Sequence, residues 1–109
     1  MLKKFVAIYV PSTVNVNIAA SAEKIADVTR FVCAKLASRF GGSTVTQATG
    51  YWVSETGEIV EDKIQIVKSH YDCEESAAVT YAREIAEFVK QALTQEAVTL
   101  ETNEGIDFI

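Results

Sequence analysis

Apolar and polar side chains alternate along two runs between positions 41 and 71, and this pattern predicts a long β-hairpin. A three-residue loop, Glu55-Thr56-Gly57, would place Trp52 opposite Val60 and Ala48 opposite Ile64. We prefer this register to that of a two-residue loop because it gathers four apolar residues on one face: Trp52, Val60, Ile64 and Ile66. Gly57 is then expected in the left-handed conformation that such loops need.

A strand and a helix are predicted before the hairpin. The run Phe5–Val10 is apolar on both faces, as in a central strand, and Pro11 ends it because proline cannot donate to a ladder. A helix is expected from the N-cap Ser21 to about Phe40, with Gly41 as its C-cap glycine. Its buried stripe would consist of Ile25, Val28, Val32 and Leu36.

A second helix and a last strand are predicted after the hairpin. Asp72 and Glu75 have the spacing of a capping box, and the helix is expected to continue to about Thr94. Its buried stripe would consist of Ala78, Ala82, Ile85, Val89 and Leu93. The alternating segment Ala97–Thr102 predicts a strand, and Ile106–Ile109 a short terminal one.

This order of elements predicts a ferredoxin-like α+β sandwich, βαββαβ, with a short extra C-terminal strand. The antiparallel sheet would have the strand order 4-1-3-2, with both helices on one face. The expected core consists of Val6, Ile8, Ile25, Val32, Trp52, Ile64, Ile66, Ile85 and Val89. The uncovered face would carry Phe5, Ala7, Tyr9, Thr49, Tyr51, Lys63, Gln65 and Val67. An apolar, aromatic face of this kind favours a homo-oligomer, most simply a two-fold dimer.

Length and charge narrow the class of protein. The 109 residues are expected to form one domain, residues 1–109. A net charge of -5 and a pI of about 4.8 disfavour nucleic acid, since phosphate binding needs clustered Lys and Arg. Cys33 and Cys73 form no CxxC pair, which favours a reducing cytoplasm. The apolar run that ends at Pro11 is too short to span a membrane, so no membrane partner is expected.

The motifs that could carry chemistry favour structural roles. His70 and Cys73 could form a nucleophile pair, but a strand end followed by a helix cap is the favoured interpretation. One His and two separated Cys do not predict a metal site. The segment Gly41–Thr44 follows a helix, which favours a helix stop over a phosphate-binding loop. We therefore expect no catalytic residues, no cofactor and no enzymatic activity.

Several segments resemble a family of small uncharacterised proteins carried by bacterial phages and plasmids. They are IYVPSTVNVN near the start, FGGST at 40–44, GYWV at 50–53, GEIVEDKI at 57–64 and QEAVTLE near the end. The resemblance spans nearly the whole chain and implies an accessory role against host defence, in the cytoplasm of the bacterial host. Some proteins in that role are similar in size and act as oligomeric sponges that bind nucleotide immune signals without cleaving them.

Together these observations predict a non-catalytic protein that binds a small nucleotide-like signal. The alternative is an inhibitor that binds a host defence enzyme through the uncovered sheet face. Aromatic faces suit a base, whereas hydroxyls, amides and lysines suit phosphate or ribose. The expected site lies at a subunit boundary and is lined by Tyr9, Ser12, Thr13, Asn15, Tyr51 and Lys63. The next candidate is the opposite edge, where Gly41–Thr44 would approach His70–Cys73.

Overall fold

The computed structural model describes residues 1–14 and 18–109 of the chain. Two helices lie among its strands: α1 (Ala22–Phe40) and α2 (Glu75–Ala92). The long strands are β1 (Lys4–Pro11), β4 (Thr44–Val53) and β5 (Ile59–Tyr71). The short strands are β2 (Thr13–Val14), β3 (Ile18–Ala19), β6 (Thr99–Thr102) and β7 (Gly105–Phe108).

The main sheet has five antiparallel strands in the order β4-β5-β1-β6-β7. Four of these strands, in the order β6-β1-β5-β4, form the predicted 4-1-3-2 arrangement, and β7 is the extra C-terminal strand. Helix α1 packs against β5 and β1, and α2 packs against β1 and β6. The ferredoxin-like α+β fold predicted from the sequence is therefore confirmed.

The helix ends follow from local side chains. Ser21 caps α1, its Oγ accepting a hydrogen bond from the Lys24 backbone N–H at 3.1 Å. Gly41 ends this helix with φ of 96°, a left-handed conformation that glycine adopts without a Cβ penalty. The cap predicted for α2 is wrong by two residues: Glu74 is the N-cap, and its carboxylate accepts from the Ser76 backbone N–H.

The predicted hairpin register is confirmed. Trp52 pairs with Val60 and Ala48 with Ile64, and the Ser54 N–H donates to the Glu58 carbonyl across the turn. Gly57 has φ of 84°, as the three-residue loop requires.

The assignment of the hairpin's two faces was wrong. In the β1–β5 pair Ile8 lies opposite Val67, and Tyr9 lies opposite Ile66. Directly opposed residues share a face, so Val67 lies under the helices and Ile66 on the uncovered face. Four residues expected in the core or beside it lie on the uncovered face instead: Trp52, Val60, Ile64 and Ile66. Conversely, the side beneath the helices carries Thr49, Tyr51, Lys63, Gln65 and Val67.

The core lies between the helix-covered face of the sheet and the two helices. Its predicted members that are buried are Val6, Ile8, Val32, Ile85 and Val89, and Ile25 packs partly buried against them. Val10, Val67 and Leu100 complete the sheet side, and the helices add small residues such as Ala78 and Ala82. In the described part of the chain, neither helix is long and apolar enough to cross a membrane.

Candidate functional site

The outer half of the hairpin forms an exposed polar surface on the helix-covered side of the sheet. Strand β4 is at the sheet edge, and α1 packs over β5 rather than over β4. Side chains that point to the helix side therefore stay accessible along β4 and the distal part of β5. We call this surface the hairpin platform; it consists of Gln47, Thr49, Tyr51, Glu61, Lys63 and Gln65.

Tyr51 and Glu61 form a hydrogen-bonded pair on the hairpin platform. They are directly opposed on neighbouring strands, and the Tyr51 hydroxyl donates to Glu61 Oε1 at 3.0 Å. This hydrogen bond, with the negative charge of Glu61, raises the pKa of Tyr51. Tyr51 thus remains a neutral donor at physiological pH, while Glu61 keeps free lone pairs for a cationic or hydroxyl-bearing ligand.

Lys63 lies one residue pair deeper along the hairpin platform. Its Nζ donates to Thr49 Oγ1 of the opposed residue at 3.3 Å. A carboxylate and an ammonium group thus lie two positions apart on one side of β5. This pairing suits a small ligand that carries both charges, such as an α-amino acid.

A cleft of about 570 Å³ adjoins the hairpin platform, between the start of α1 and the sheet. It is lined by Ser12, Ala20, Ala22, Ile25, Ala26, Thr29, Arg30, Cys33 and Gln65. Gln65 also lines a hollow of about 390 Å³ on the platform, together with Gln47, Thr49 and Lys63. The cleft therefore continues onto the platform past Gln65, and its volume and mostly apolar walls suit a small organic ligand.

Two side chains of α1 that line the cleft carry a hydroxyl and a thiol group. Thr29 Oγ1 is buried and has no hydrogen-bond partner among the described residues, so a ligand hydroxyl or ring nitrogen could supply one. One turn further on, burial raises the pKa of the Cys33 thiol, so Cys33 is a neutral, weakly nucleophilic group.

The residues of the predicted site are not brought together. Tyr9 lies on the uncovered face, where its hydroxyl donates to Glu101 Oε1 at 2.7 Å, whereas Tyr51 and Lys63 lie on the helix side. Ser12 is at the end of β1, and its Oγ donates to Asp62 Oδ1 at 3.1 Å. Asn15 and the side chain of Thr13 lie outside the described residues. Of the predicted set, Tyr51 and Lys63 share the platform, and Ser12 lines the cleft.

The second predicted location does assemble in part. Gly41–Thr44 approaches Lys68, Ser69 and His70 around a hollow of about 400 Å³, and Ser69 Oγ donates to the Gly42 carbonyl at 2.6 Å. Cys73 does not line this hollow, and its carbonyl accepts from Lys4 Nζ at 2.8 Å. Within the described residues no three His, Cys, Asp or Glu side chains cluster in a way that could hold a metal ion.

Several residues of the candidate site were missed from the sequence. Thr29, Arg30 and Gln65 line the cleft because α1 crosses β5 at that point. No sequence pattern predicts where the helix crosses the strand. Glu61 had a usable signal, since the predicted register already placed it opposite Tyr51.

Comparison with known proteins gives a fold match without a sequence match. Neither a protein-family model nor a curated protein matches the chain. Among solved structures, a phage SAM lyase in complex with S-methyl-5'-thioadenosine superposes with a TM-score of 0.72 at 14% identity, covering 97% of this chain and 88% of that one. A phage SAM lyase in the apo state gives a TM-score of 0.70 at 16% identity, covering 99% and 89%. At these identities the likeness establishes a shared fold.

These neighbours change the functional expectation. Both are phage proteins, in agreement with the resemblance to phage-carried proteins. Both are also enzymes, which contradicts the prediction of a non-catalytic sponge, its inhibitor alternative and the expected lack of enzymatic activity.

Proposed function

We propose that this protein is a lyase that cleaves S-adenosylmethionine to S-methyl-5'-thioadenosine on the hairpin platform and in the adjoining cleft. The observation that carries the proposal is the whole-length structural match to a phage SAM lyase complexed with that product. The surface from the cleft past Gln65 to Lys63, with Glu61 next on the same face of β5, supports it, since it offers an apolar compartment beside paired charges. The reaction would take place in the bacterial cytoplasm.

The bond changes define what the site must do. The bond between the sulfonium sulfur and Cγ of the methionine part breaks, and its electron pair passes to sulfur. The sulfur becomes the neutral thioether of S-methyl-5'-thioadenosine. The four-carbon fragment replaces its broken bond to sulfur in one of two ways. Either its own carboxylate oxygen forms a bond to Cγ, which gives a lactone, or a base removes a Cβ proton, which gives an alkene. The site must therefore fix the methionine part relative to the carbon–sulfur bond.

The hairpin platform has a group for each of the two charges on the α-carbon of the methionine part. Lys63 Nζ would bind its carboxylate, and Glu61 would accept hydrogen bonds from its ammonium group. In the alkene route neither of those substrate charges changes as the carbon–sulfur bond breaks. In the lactone route the attacking carboxylate loses its negative charge, so Lys63 would bind the carboxylate oxygen that does not attack Cγ. A carboxylate placed against sulfur would instead stabilise the ground state, because the positive charge on sulfur disappears in the transition state. Glu61 is therefore assigned to the ammonium, held in position by Tyr51.

The cleft would hold the thioadenosine part. Its apolar wall of Ile25 and three alanines leaves space for a flat ring. Gln65 lies where the cleft meets the platform, and a glutamine amide can donate to N7 of adenine and accept from its N6 amino group. Acidic side chains at the hairpin, including Glu58 and Asp62, would favour approach of the cationic substrate.

The proposal is tested by incubating the protein with S-adenosylmethionine and following the methyl protons by NMR. We expect the sulfonium methyl signal to be replaced by the thioether methyl signal of S-methyl-5'-thioadenosine. Signals of the four-carbon product distinguish a lactone from an alkene, which are isomers of equal mass. Glu61→Gln should lower the rate by about tenfold or more, because a charged hydrogen-bond partner is lost. Glu87→Gln, an exposed glutamate of α2, is the matched control and should cleave at the wild-type rate.

A further inference from the structure

The outer part of the β4–β5 hairpin extends beyond the end of β1. Strand β1 pairs with β5 only as far as Pro11, which lies opposite Ile64. Past that row β5 continues to pair with β4 towards the turn, and Asp62 lies opposite Gly50. We call residues 50–62 the hairpin arm. A two-stranded ribbon is marginally stable by itself, so the direction of the arm depends on its contacts with the rest of the chain.

Ser12 connects the hairpin arm to the start of α1. Its Oγ donates to Asp62 Oδ1 at 3.1 Å, a partly buried hydrogen bond to a charged acceptor. Its carbonyl accepts from the Ala20 backbone N–H at 3.1 Å, and Ala20 directly precedes Ser21, the N-cap of α1. Among the described residues, no other side-chain hydrogen bond joins the arm to the chain outside the hairpin.

Gly50 leaves the base of the hairpin arm free to bend. Glycine has more backbone freedom than other residues, and it weakens a strand that contains it. A Cβ added at Gly50 would lie 2.8 Å from Ile64 Cδ1, so the Ile64 side chain lies over the glycine backbone. Because Asp62 lies opposite Gly50, the hydrogen bond from Ser12 acts on the arm at this row.

Asp62 lies between the two residues proposed to bind the methionine part of the substrate. Glu61 and Lys63 point to the opposite side of β5 from Asp62, because successive side chains of a strand alternate. A fixed Asp62 therefore fixes the direction of both neighbours. Ser12 also lines the cleft, so one residue contacts both the proposed adenosine compartment and the arm. Cleavage needs both parts of the substrate in one alignment, and small displacements are costly to the rate.

We propose that Ser12 and Asp62 are positioning residues, whose hydrogen bond holds the hairpin arm against the start of α1 and keeps Glu61 and Lys63 aligned with the cleft. This role rests on the proposed function, since it concerns the alignment of the same substrate. Neither residue needs to contact the reacting atoms. The hydrogen bond should therefore affect the rate of turnover more than the binding of substrate.

Hydrogen–deuterium exchange tests whether the contact holds the hairpin arm. Ser12→Ala removes the donor, and amide exchange in residues 50–53 and 59–62 should become about tenfold faster, the effect of one lost hydrogen bond to a charged group. Exchange in α2 should not change. Ser38→Ala, at an exposed serine of α1, is the matched control and should leave exchange in the arm at the wild-type rate. Unchanged exchange in the arm of Ser12→Ala would overturn the proposal.

Steady-state kinetics with S-adenosylmethionine test the positioning role, with circular dichroism to check that each variant folds. Ser12→Ala and Asp62→Ala should each lower kcat by about tenfold, while KM changes by no more than about threefold. The double variant should be no slower than the slower single variant, because both substitutions remove the same hydrogen bond. Losses that multiply to about a hundredfold would overturn the proposal.

Asp62→Asn separates the contact from the charge. The asparagine keeps an oxygen that can accept from Ser12, so this variant should retain kcat within about threefold of the wild type. Equal losses in Asp62→Asn and Asp62→Ala would mean that Asp62 acts through its charge alone, which would overturn the proposal.

Failure of the positioning role is distinguishable from failure of the proposed function. Faster exchange in the arm of Ser12→Ala with an unchanged kcat would overturn the positioning role and leave the proposed function standing. A wild type without turnover would contradict the proposed function and the positioning role together, whatever the exchange result.

Discussion

Tyr9 and Tyr51 each donate a hydroxyl hydrogen bond to a glutamate, and they do so on opposite faces of the same sheet. Tyr9 bonds to Glu101 across β1 and β6 on the uncovered face, while Tyr51 bonds to Glu61 within the hairpin platform. The two pairs have the same chemistry in different settings. One is held within an apolar surface, and the other lies beside a cleft with room for a ligand.

Removal of the two hydroxyls should therefore have different consequences. Tyr51→Phe leaves Glu61 without its donor, and we expect the affinity for S-adenosylhomocysteine, a thioether that keeps the ammonium group Glu61 would bind, to fall by about three- to tenfold, the effect of one lost hydrogen bond. Tyr9→Phe should leave it unchanged, because Tyr9 lies on the other side of the sheet. Isothermal titration calorimetry measures both. A loss in Tyr9→Phe with none in Tyr51→Phe would place the ligand on the uncovered face.

Gln65 should determine preference for adenine. Wild-type protein is expected to bind adenosine compounds more tightly than the matching inosine compounds, since inosine has an acceptor where adenine has its N6 amino group. Gln65→Leu should bind the two about equally and more weakly. Gln65→Glu should lose about tenfold or more in affinity for the adenosine compound, because a carboxylate cannot donate to N7. An unchanged preference in Gln65→Leu would show that another residue contacts the base.

The Tyr9–Glu101 pair predicts a pH dependence of stability. The hydrogen bond to Glu101, with burial and the nearby negative charge, raises the pKa of Tyr9 to about 12. An ordinary tyrosine in the unfolded chain titrates near pH 10. Because the folded pKa is the higher one, the stabilisation is complete below about pH 10 and is lost as the pH rises through about 12. Urea unfolding across this range should show the loss, and Glu101→Gln should reduce it. A wild-type profile that matches Glu101→Gln would contradict the assignment.

The same substitution at two adjacent residues of β5 should change the stability of the fold by very different amounts. Val67 is completely buried beneath the helices, so Val67→Asp should destabilise the fold by about 4 kcal/mol or more. Ile66→Asp places its carboxylate on the uncovered face, and the chain should lose much less stability. Thermal unfolding followed by circular dichroism measures the stability of both variants. A Val67→Asp variant as stable as the wild type would mean that the β1–β5 register is wrong.

The hairpin register and the fold could be predicted because each depends on local patterns. Opposed pairs such as Trp52 and Val60 follow from the length of the loop before Gly57, and the order of elements limits the topology. The faces could not be assigned, because Ile64, Ile66 and Val67 are all apolar and only pairing with β1 decides which of them the helices cover. The cleft was not predictable for a similar reason: Thr29 and Gln65 are brought together by the path of α1 over β5.

The central claim is that the hairpin platform and its cleft cleave S-adenosylmethionine, and turnover tests it most directly. Purified protein is incubated with an excess of S-adenosylmethionine, and S-methyl-5'-thioadenosine is quantified by chromatography and mass spectrometry. We predict many moles of product per mole of wild-type protein, with Glu61→Gln slower by about tenfold or more and Glu87→Gln unchanged. Product no greater than that formed with heat-denatured protein would contradict the account.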